Sequence, residues 1–203
     1  MKPKILVITA LESELDKHKL PNGVDWAYCG VGKINAALTT LKAIQDFQPR
    51  LVVNYGTVGK INPHLSGMIE IAKVVQRDMV TEPLSPRGQT PFCTRPQTYH
   101  SGRSSYVCGT GDSFVTAPDP WLVAQNIDVV DMELFAIAAA AHACNVPWQS
   151  YKYITDDANE SSGAEWSQKV HHGESLFLDL LKTWRIQVRS ATLTNRNKEA
   201  EDV

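Results

Sequence analysis

Apolar strand-like runs alternate with helical-period segments along most of this chain, and that alternation confines it to the α/β class. Lys4-Ile5-Leu6-Val7-Ile8-Thr9 opens the series, followed by a short polar helix expected from about Glu12 to Lys19. A strand around Val24 to Cys29 then runs into Gly30-Val31-Gly32-Lys33, after which Ile34, Ala37, Leu38, Leu41 and Ile44 recur at helical spacing until Pro49 stops the helix. Leu51-Val52-Val53-Asn54-Tyr55 has the near-continuous apolar character of a buried central strand, with Gly56-Thr57-Val58-Gly59 following it. Further strands are expected over Ile69 to Val75, Ser105 to Cys108, Ile127 to Val130 and Val146 to Thr155. An alanine-rich helix from Glu133 to Cys144 and a last helix from Glu165 to Trp184, with Val170, Leu176, Phe177, Leu180 and Leu181 on one stripe, complete the pattern.

Between Arg77 and Gly102 periodicity disappears and Pro83, Pro86, Pro91 and Pro96 accumulate, which predicts a long surface loop of the kind that carries function. With 203 residues, 43% hydrophobic and 21% charged, one globular domain over residues 1–184 is expected, and residues 185–203 read as a polar tail. The formal net charge of −2 offers no electrostatic footprint for nucleic acid or an anionic membrane, so neither is expected as a partner. Lys2 and Lys4 precede only a short apolar run, too short for a signal peptide or a span, and the expected location is the cytoplasm. Cys29, Cys93, Cys108 and Cys144 form no C-x-x-C pair, and the six histidines show no metal-ligand spacing; no metal or cofactor is expected.

Reactive side chains in open α/β sheets collect beyond the carboxyl ends of the strands. Asp156 and Asp157 follow the strand that ends in Tyr151-Lys152-Tyr153-Ile154-Thr155; Glu12 and Glu14 follow the first strand, and Gly111-Asp112-Ser113-Phe114 another. If the sheet is largely parallel, these ends share a rim, and acids facing one cavity beside Phe114 suit acid/base chemistry on a small, flat, polar ligand. Local pattern alone leaves other roles open. Asp156 also reads as a turn or cap residue, and Asp131 and Glu133 as acids complementing a helix dipole. Gly30-Val31-Gly32-Lys33 reads as a tight strand-to-helix turn, because it lacks P-loop spacing and has Asn35 where a dinucleotide fingerprint needs a third glycine. No Gly-x-Ser-x-Gly elbow is present, so a hydrolase triad of that type has no support.

The segments Ala10-Leu11-Glu12-Ser13-Glu14, Gly30-Val31-Gly32-Lys33, Asn54-Tyr55-Gly56-Thr57-Val58-Gly59, Gly111-Asp112-Ser113-Phe114-Val115, Val130-Asp131-Met132-Glu133 and Ile154-Thr155-Asp156 occur in an order that resembles the nucleoside phosphorylase and nucleosidase superfamily. Among its branches the chain looks most like the 5'-methylthioadenosine/S-adenosylhomocysteine nucleosidases. The resemblance spans about residues 4 to 184 and implies a three-layer αβα sandwich around a mixed central sheet, assembled as a homodimer.

It also implies roles. Asp156 would protonate the purine at N7, Phe114 would stack on the base, and the Val115 backbone would read its edge. Met132 would pack on the ribose and Glu133 would accept hydrogen bonds from its hydroxyls. Glu14 would orient or deprotonate the attacking water, helped by Thr57 and Lys152. The implied ligand is a purine, most simply adenine, ribonucleoside with a 5' substituent, cleaved by water. A phosphate-dependent phosphorylase and a non-catalytic nucleoside-binding protein of the same fold are the alternatives. A phosphorylase would place arginines where Gly32, Lys33 and Glu14 stand, and a carboxylate at Glu14 would repel phosphate. Compared with the family pattern, Thr57 replaces Ser, Lys152 replaces Arg and Lys60 replaces a glycine. The segment Leu20 to Cys29 is compressed, the helix expected before Ser105 is missing, and the loop from Asp78 to Phe92 is expected to supply part of the lid.

Overall fold

The computed structural model describes residues 5–102 and 104–183, so Trp184 and the expected tail 185–203 lie outside the described residues. Strands β1 (Ile5–Thr9), β2 (Val24–Tyr28), β3 (Leu51–Lys60), β4 (Met68–Gln76), β5 (Thr98–His100), β6 (Tyr106–Thr110), β7 (Val129–Asp131) and β8 (Trp148–Asp156) form one mixed sheet. Helices α1 (Lys33–Phe47), α2 (Pro120–Ala124), α3 (Leu134–Ala143), α4 (Ser162–Lys169) and α5 (174–183) pack around it.

Strand alternation explains the layers. Leu6 and Ile8 of β1, with Val52 and Val58 of β3, pack into the cluster shared with Ala36, Ala43 and Ile44 of α1 and Leu134, Ile137 and Ala141 of α3. The intervening Ile5, Val7, Val53 and Tyr55 point the other way, against Phe177, Leu178 and Leu181 of α5. Burial on both faces is why these strands read as continuous apolar runs. Phe177 stacks on Tyr55 with ring centroids 4.4 Å apart, and truncating such a core aromatic costs about 3–5 kcal/mol.

The sheet is not a simple open one. Its order is β2-β1-β3-β7-β6-β4-β5, and β8 pairs with both β3 and β4, so β3, β8, β4, β6 and β7 close a ring. β1, β3 and β8 run parallel, whereas β7 pairs antiparallel with the far end of β3 through Gly59–Val130 and Lys60–Val129. The strand ends that carry acids therefore meet where this ring closes, not along one parallel rim.

Several local expectations change for identifiable reasons. Gly56-Thr57-Val58-Gly59 continues β3 up to Lys60 instead of ending it, because this half of the strand has β7 as well as β8 to pair with. The polar helix expected over Glu12 to Lys19 reduces to a 3-10 turn at Lys17–Lys19, since the Glu14 carboxylate binds the backbone N–H groups of Ala10 and Leu11. On α1 the buried face is Ala36, Thr40, Ala43 and Ile44, while Ile34 and Leu38 are exposed; small residues let α1 approach α3 closely.

The long last helix breaks into α4 and α5 at Gly173. A Cβ there would lie 2.5 Å from Tyr153 and 2.7 Å from the Tyr55 hydroxyl, so only glycine admits that approach. Of the expected stripe, Val170, Phe177 and Leu181 are buried and Leu176 is exposed. The loop from Arg77 to Gly102 includes β5, which pairs with β4. Its middle is pinned by Arg87, which bonds Asp119 at 2.6 Å, donates to the Arg77 carbonyl at 2.7 Å and stacks on Trp121.

Candidate active site

Where the ring closes, a cavity of about 300 Å³ is lined by Glu14, Thr57, Phe114, Val115, Met132, Glu133 and Asp156, seven of the eight expected site residues. Its size suits a small-molecule ligand. Arg77, Ser113, Asp131 and Trp166 also line it.

Among the described residues, five donors cradle Glu14. Its Oε2 accepts from the Thr9 hydroxyl at 3.1 Å and from the N–H groups of Ala10 at 3.2 Å and Leu11 at 3.1 Å. Its Oε1 accepts from the Thr57 N–H at 2.9 Å and the Thr57 hydroxyl at 2.8 Å. β1 and β3 are parallel neighbours in the sheet, so a residue just past the end of β1 reaches Thr57 in the second half of β3. Gly56 leaves room for this: a Cβ there would lie 3.4 Å from Glu14 Oε1 and 3.3 Å from Lys152 Nζ.

Asp156 ends β8 and is buried. The Ala158 N–H donates to its Oδ1 at 3.0 Å and the Thr155 hydroxyl to its Oδ2 at 2.9 Å. The carboxylate lies across Gly59, where a Cβ would come within 2.6 Å of Oδ1. Both glycines of the Gly-Thr-Val-Gly segment thus form floor beneath a carboxylate.

Glu133 stands at the start of α3, and its Oε1 accepts the Gly32 N–H at 3.0 Å, tying the turn before α1 to the cavity. Burial, reinforced by the nearby Asp131 charge, pushes Glu133 from an ordinary value of 4.5 up to about 7. The folded protein therefore holds this proton more tightly than the unfolded chain does, and stability attributable to Glu133 falls as pH rises from 4.5 towards 7. Glu133→Gln keeps an acceptor for Gly32 and is expected to remove that part of the slope, leaving the variant more stable than wild type at pH 8 by up to roughly 3 kcal/mol. Urea unfolding of both proteins between pH 5 and pH 8 measures it; parallel stability curves would refute the buried proton.

Lys152 is the exception among the expected residues. It does not line the cavity but lies beneath it, 1% exposed, with Nζ 2.8 Å from Asp131 Oδ2. Asp131 also accepts from the Thr110 hydroxyl at 2.6 Å and the Leu134 N–H at 2.9 Å. Burial opposes both charges, yet the Lys152 ammonium holds Asp131 below its ordinary value, and the Asp131 carboxylate holds Lys152 above its own. The lysine thus braces Asp131 from outside the cavity lining, and its Nζ also approaches the Glu14 carboxylate across Gly56, where a Cβ would lie 3.3 Å from Nζ and 3.4 Å from Oε1.

Phe114 is half-exposed over the cavity, on a loop fixed from two sides. Arg77 donates to the Gly111 carbonyl at 3.1 Å and to the Ser113 carbonyl, and its guanidinium is buried, which lowers its proton affinity. Lys33 pairs with Asp78 at 2.5 Å, and its N–H donates to Asp112 Oδ1 at 2.7 Å. No residue from 78 to 92 lines the cavity; that loop packs on α2 through Arg87 instead of forming a lid. Arg77 and Trp166 were not expected at the site. A lone arginine at a strand end and a lone tryptophan in a polar stretch carry no spacing signal that could have found them.

A family model of the phosphorylase superfamily matches residues 22–183. A 5'-methylthioadenosine/S-adenosylhomocysteine nucleosidase of Anoxybacillus flavithermus is 30% identical over 162 residues, covering 68% of this chain and 70% of that protein. Among solved structures, a mutant nucleosidase of Helicobacter pylori with 5'-methylthioadenosine in its active site aligns with a TM-score of 0.79 at 19% identity, covering 90% of this chain and 99% of that one. The futalosine hydrolase of Helicobacter pylori aligns with a TM-score of 0.80 at 18% identity, covering 89% and 97%. At those identities the structures speak for the fold, a mixed sheet between helical layers. The family match, which spans most of the chain and all the cavity residues beyond Glu14, establishes that the chain belongs to the phosphorylase superfamily.

Proposed function

We propose that this protein hydrolyses the N-glycosidic bond of a purine ribonucleoside, with adenine as base and a 5' substituent such as the methylthio or homocysteinyl group, releasing free base and sugar. The observation that carries this reading is the pairing of Asp156 and Glu14, two buried carboxylates lining one cavity with Glu133 also facing it. Asp156 donates a proton to purine N7 while the bond between C1' and N9 breaks and its electron pair leaves with the base. Water then adds to C1' as Glu14 takes its proton. Glu133 accepts from the ribose hydroxyls, an interaction that strengthens as positive charge develops on the sugar. Phe114 stacks on the base, the Val115 backbone meets its edge, and Met132 packs on the ribose.

Water is favoured over phosphate as nucleophile by the charges present. Glu14 puts a carboxylate on the water side, and Lys33 is already engaged by Asp78 and Asp112. Incubating the purified protein with a panel of purine nucleosides, with and without phosphate, tests the reading. Release of base and free sugar without phosphate is expected, and strict phosphate dependence would select the phosphorylase instead. A bound but uncleaved nucleoside would make the protein a non-catalytic binder. Glu14→Gln is expected to cut hydrolysis about a hundredfold, whereas Glu165→Gln, which does not line the cavity and pairs with Lys169, should leave the rate unchanged. Equal rates for the two variants would remove Glu14 from the mechanism.

We further propose a homodimer in the cytoplasm. Val31, Ile34 and Leu38 form an exposed apolar face beside the cavity, and no helix among the described residues is long and apolar enough to cross a membrane.

A further inference from the structure

Trp166 lies on α4, the helix that follows Asp156, and its ring lines the cavity. Its indole Nε1–H donates to Thr57 Oγ1 at 2.9 Å. Thr57 Oγ1 in turn lies 2.8 Å from Glu14 Oε1. An indole N–H only donates, and a hydroxyl has one proton. The direction of the chain is therefore determined: Trp166 donates to Thr57, and Thr57 must spend its proton on Glu14. Without the indole the hydroxyl could turn to another acceptor, and Glu14 would lose one of the two donors that hold Oε1.

We propose that Trp166 is a positioning residue for the water-activating carboxylate, acting through Thr57, so that the seating of α4 over the cavity sets the orientation of Glu14. The proposal rests on the reading that Glu14 handles the water. It also gives Thr57 a task distinct from contacting substrate, and it makes the acid side and the base side of the site interdependent, because α4 leaves directly from the Asp156 turn. Phenylalanine at position 166 would keep an aromatic wall against the ligand and delete only the donor.

A double-mutant cycle separates this role from packing. Trp166→Phe is expected to lower kcat about five- to tenfold with KM changed less than about twofold, the scale of one lost hydrogen bond felt in the transition state. In a Thr57→Val background the same substitution should change kcat less than about twofold, because the relay is already cut. In a Thr57→Ser background, which keeps the hydroxyl, the loss should return in full. Thermal unfolding of each variant checks that all are folded, and the Trp166 indole N–H resonance should move in Thr57→Val protein whatever the activity. A loss that persists undiminished in Thr57→Val, or one confined to KM, would assign Trp166 to ligand packing and overturn the proposal. So would a Trp166→Phe enzyme as fast as wild type. Wild-type protein that releases no base from any nucleoside would instead bring down the hydrolase reading, and the relay's catalytic role with it.

Discussion

Asp156→Asn is expected to lower base release at least about a hundredfold, the usual size of a general-acid contribution, while fold and ligand binding persist. Folding survives because the amide can satisfy the same partners. Its oxygen can accept the Ala158 N–H that now reaches Oδ1, and its NH2 can donate to the Thr155 hydroxyl that now donates to Oδ2. Thr155 then keeps the Val58 carbonyl, at 3.3 Å, as acceptor for its own proton. What the amide cannot do is hand a proton to a purine nitrogen. Adenine release followed by chromatography, alongside nucleoside titration and thermal unfolding, separates the three effects. A rate within a few fold of wild type would exclude Asp156 as the acid.

Lys152→Met should destabilise the fold by about 3–5 kcal/mol, because it leaves the fully buried Asp131 carboxylate without its counter-charge. Methionine is similar in length and apolar, so packing alone should not account for the loss. The carboxylate would keep the Thr110 hydroxyl and the Leu134 N–H but lose the charge that compensates its burial. Adding Asp131→Asn to Lys152→Met should recover much of the loss, since the amide oxygen still accepts a hydrogen bond without carrying charge. Urea unfolding of the single and double variants measures both steps. A single variant within about 1 kcal/mol of wild type, the scale of an exposed pair, would mean that the pair does not brace β7 against β8.

The two predictions mark different depths of legibility. Asp156, Glu133 and Glu14 stand at strand ends or a helix start whose hydrophobic pattern is plain, but that pattern fits caps and turns equally well and the family resemblance alone gives them roles; the cavity lies where those ends converge. Phe114 and Val115 were legible as part of a segment, although the tethers that hold their loop, Arg77 and Lys33, come from distant strands and turns. Lys152 alternates in register with residues of β8 that face the core, but nothing local says that its partner is Asp131 across the ring. Trp166 is in the same position: the hydrogen bond that gives it meaning spans 109 residues.

Local sequence sets properties that depend on near neighbours: the α/β alternation, the apolar strands buried on both faces, the α1 stop before Pro49, and the glycines of Gly56-Thr57-Val58-Gly59. Those are consequences of side-chain period and backbone freedom, which a chain carries with it before it folds. Tertiary structure decided the rest. Pairing of β8 with both β3 and β4 closed the sheet into a ring, put Gly59 under Asp156 and Gly56 beside Glu14, and sent Lys152 beneath the cavity to Asp131. A buried charge takes its role from the partner that compensates it, and that partner is chosen by strand pairing, which sequence spacing does not encode.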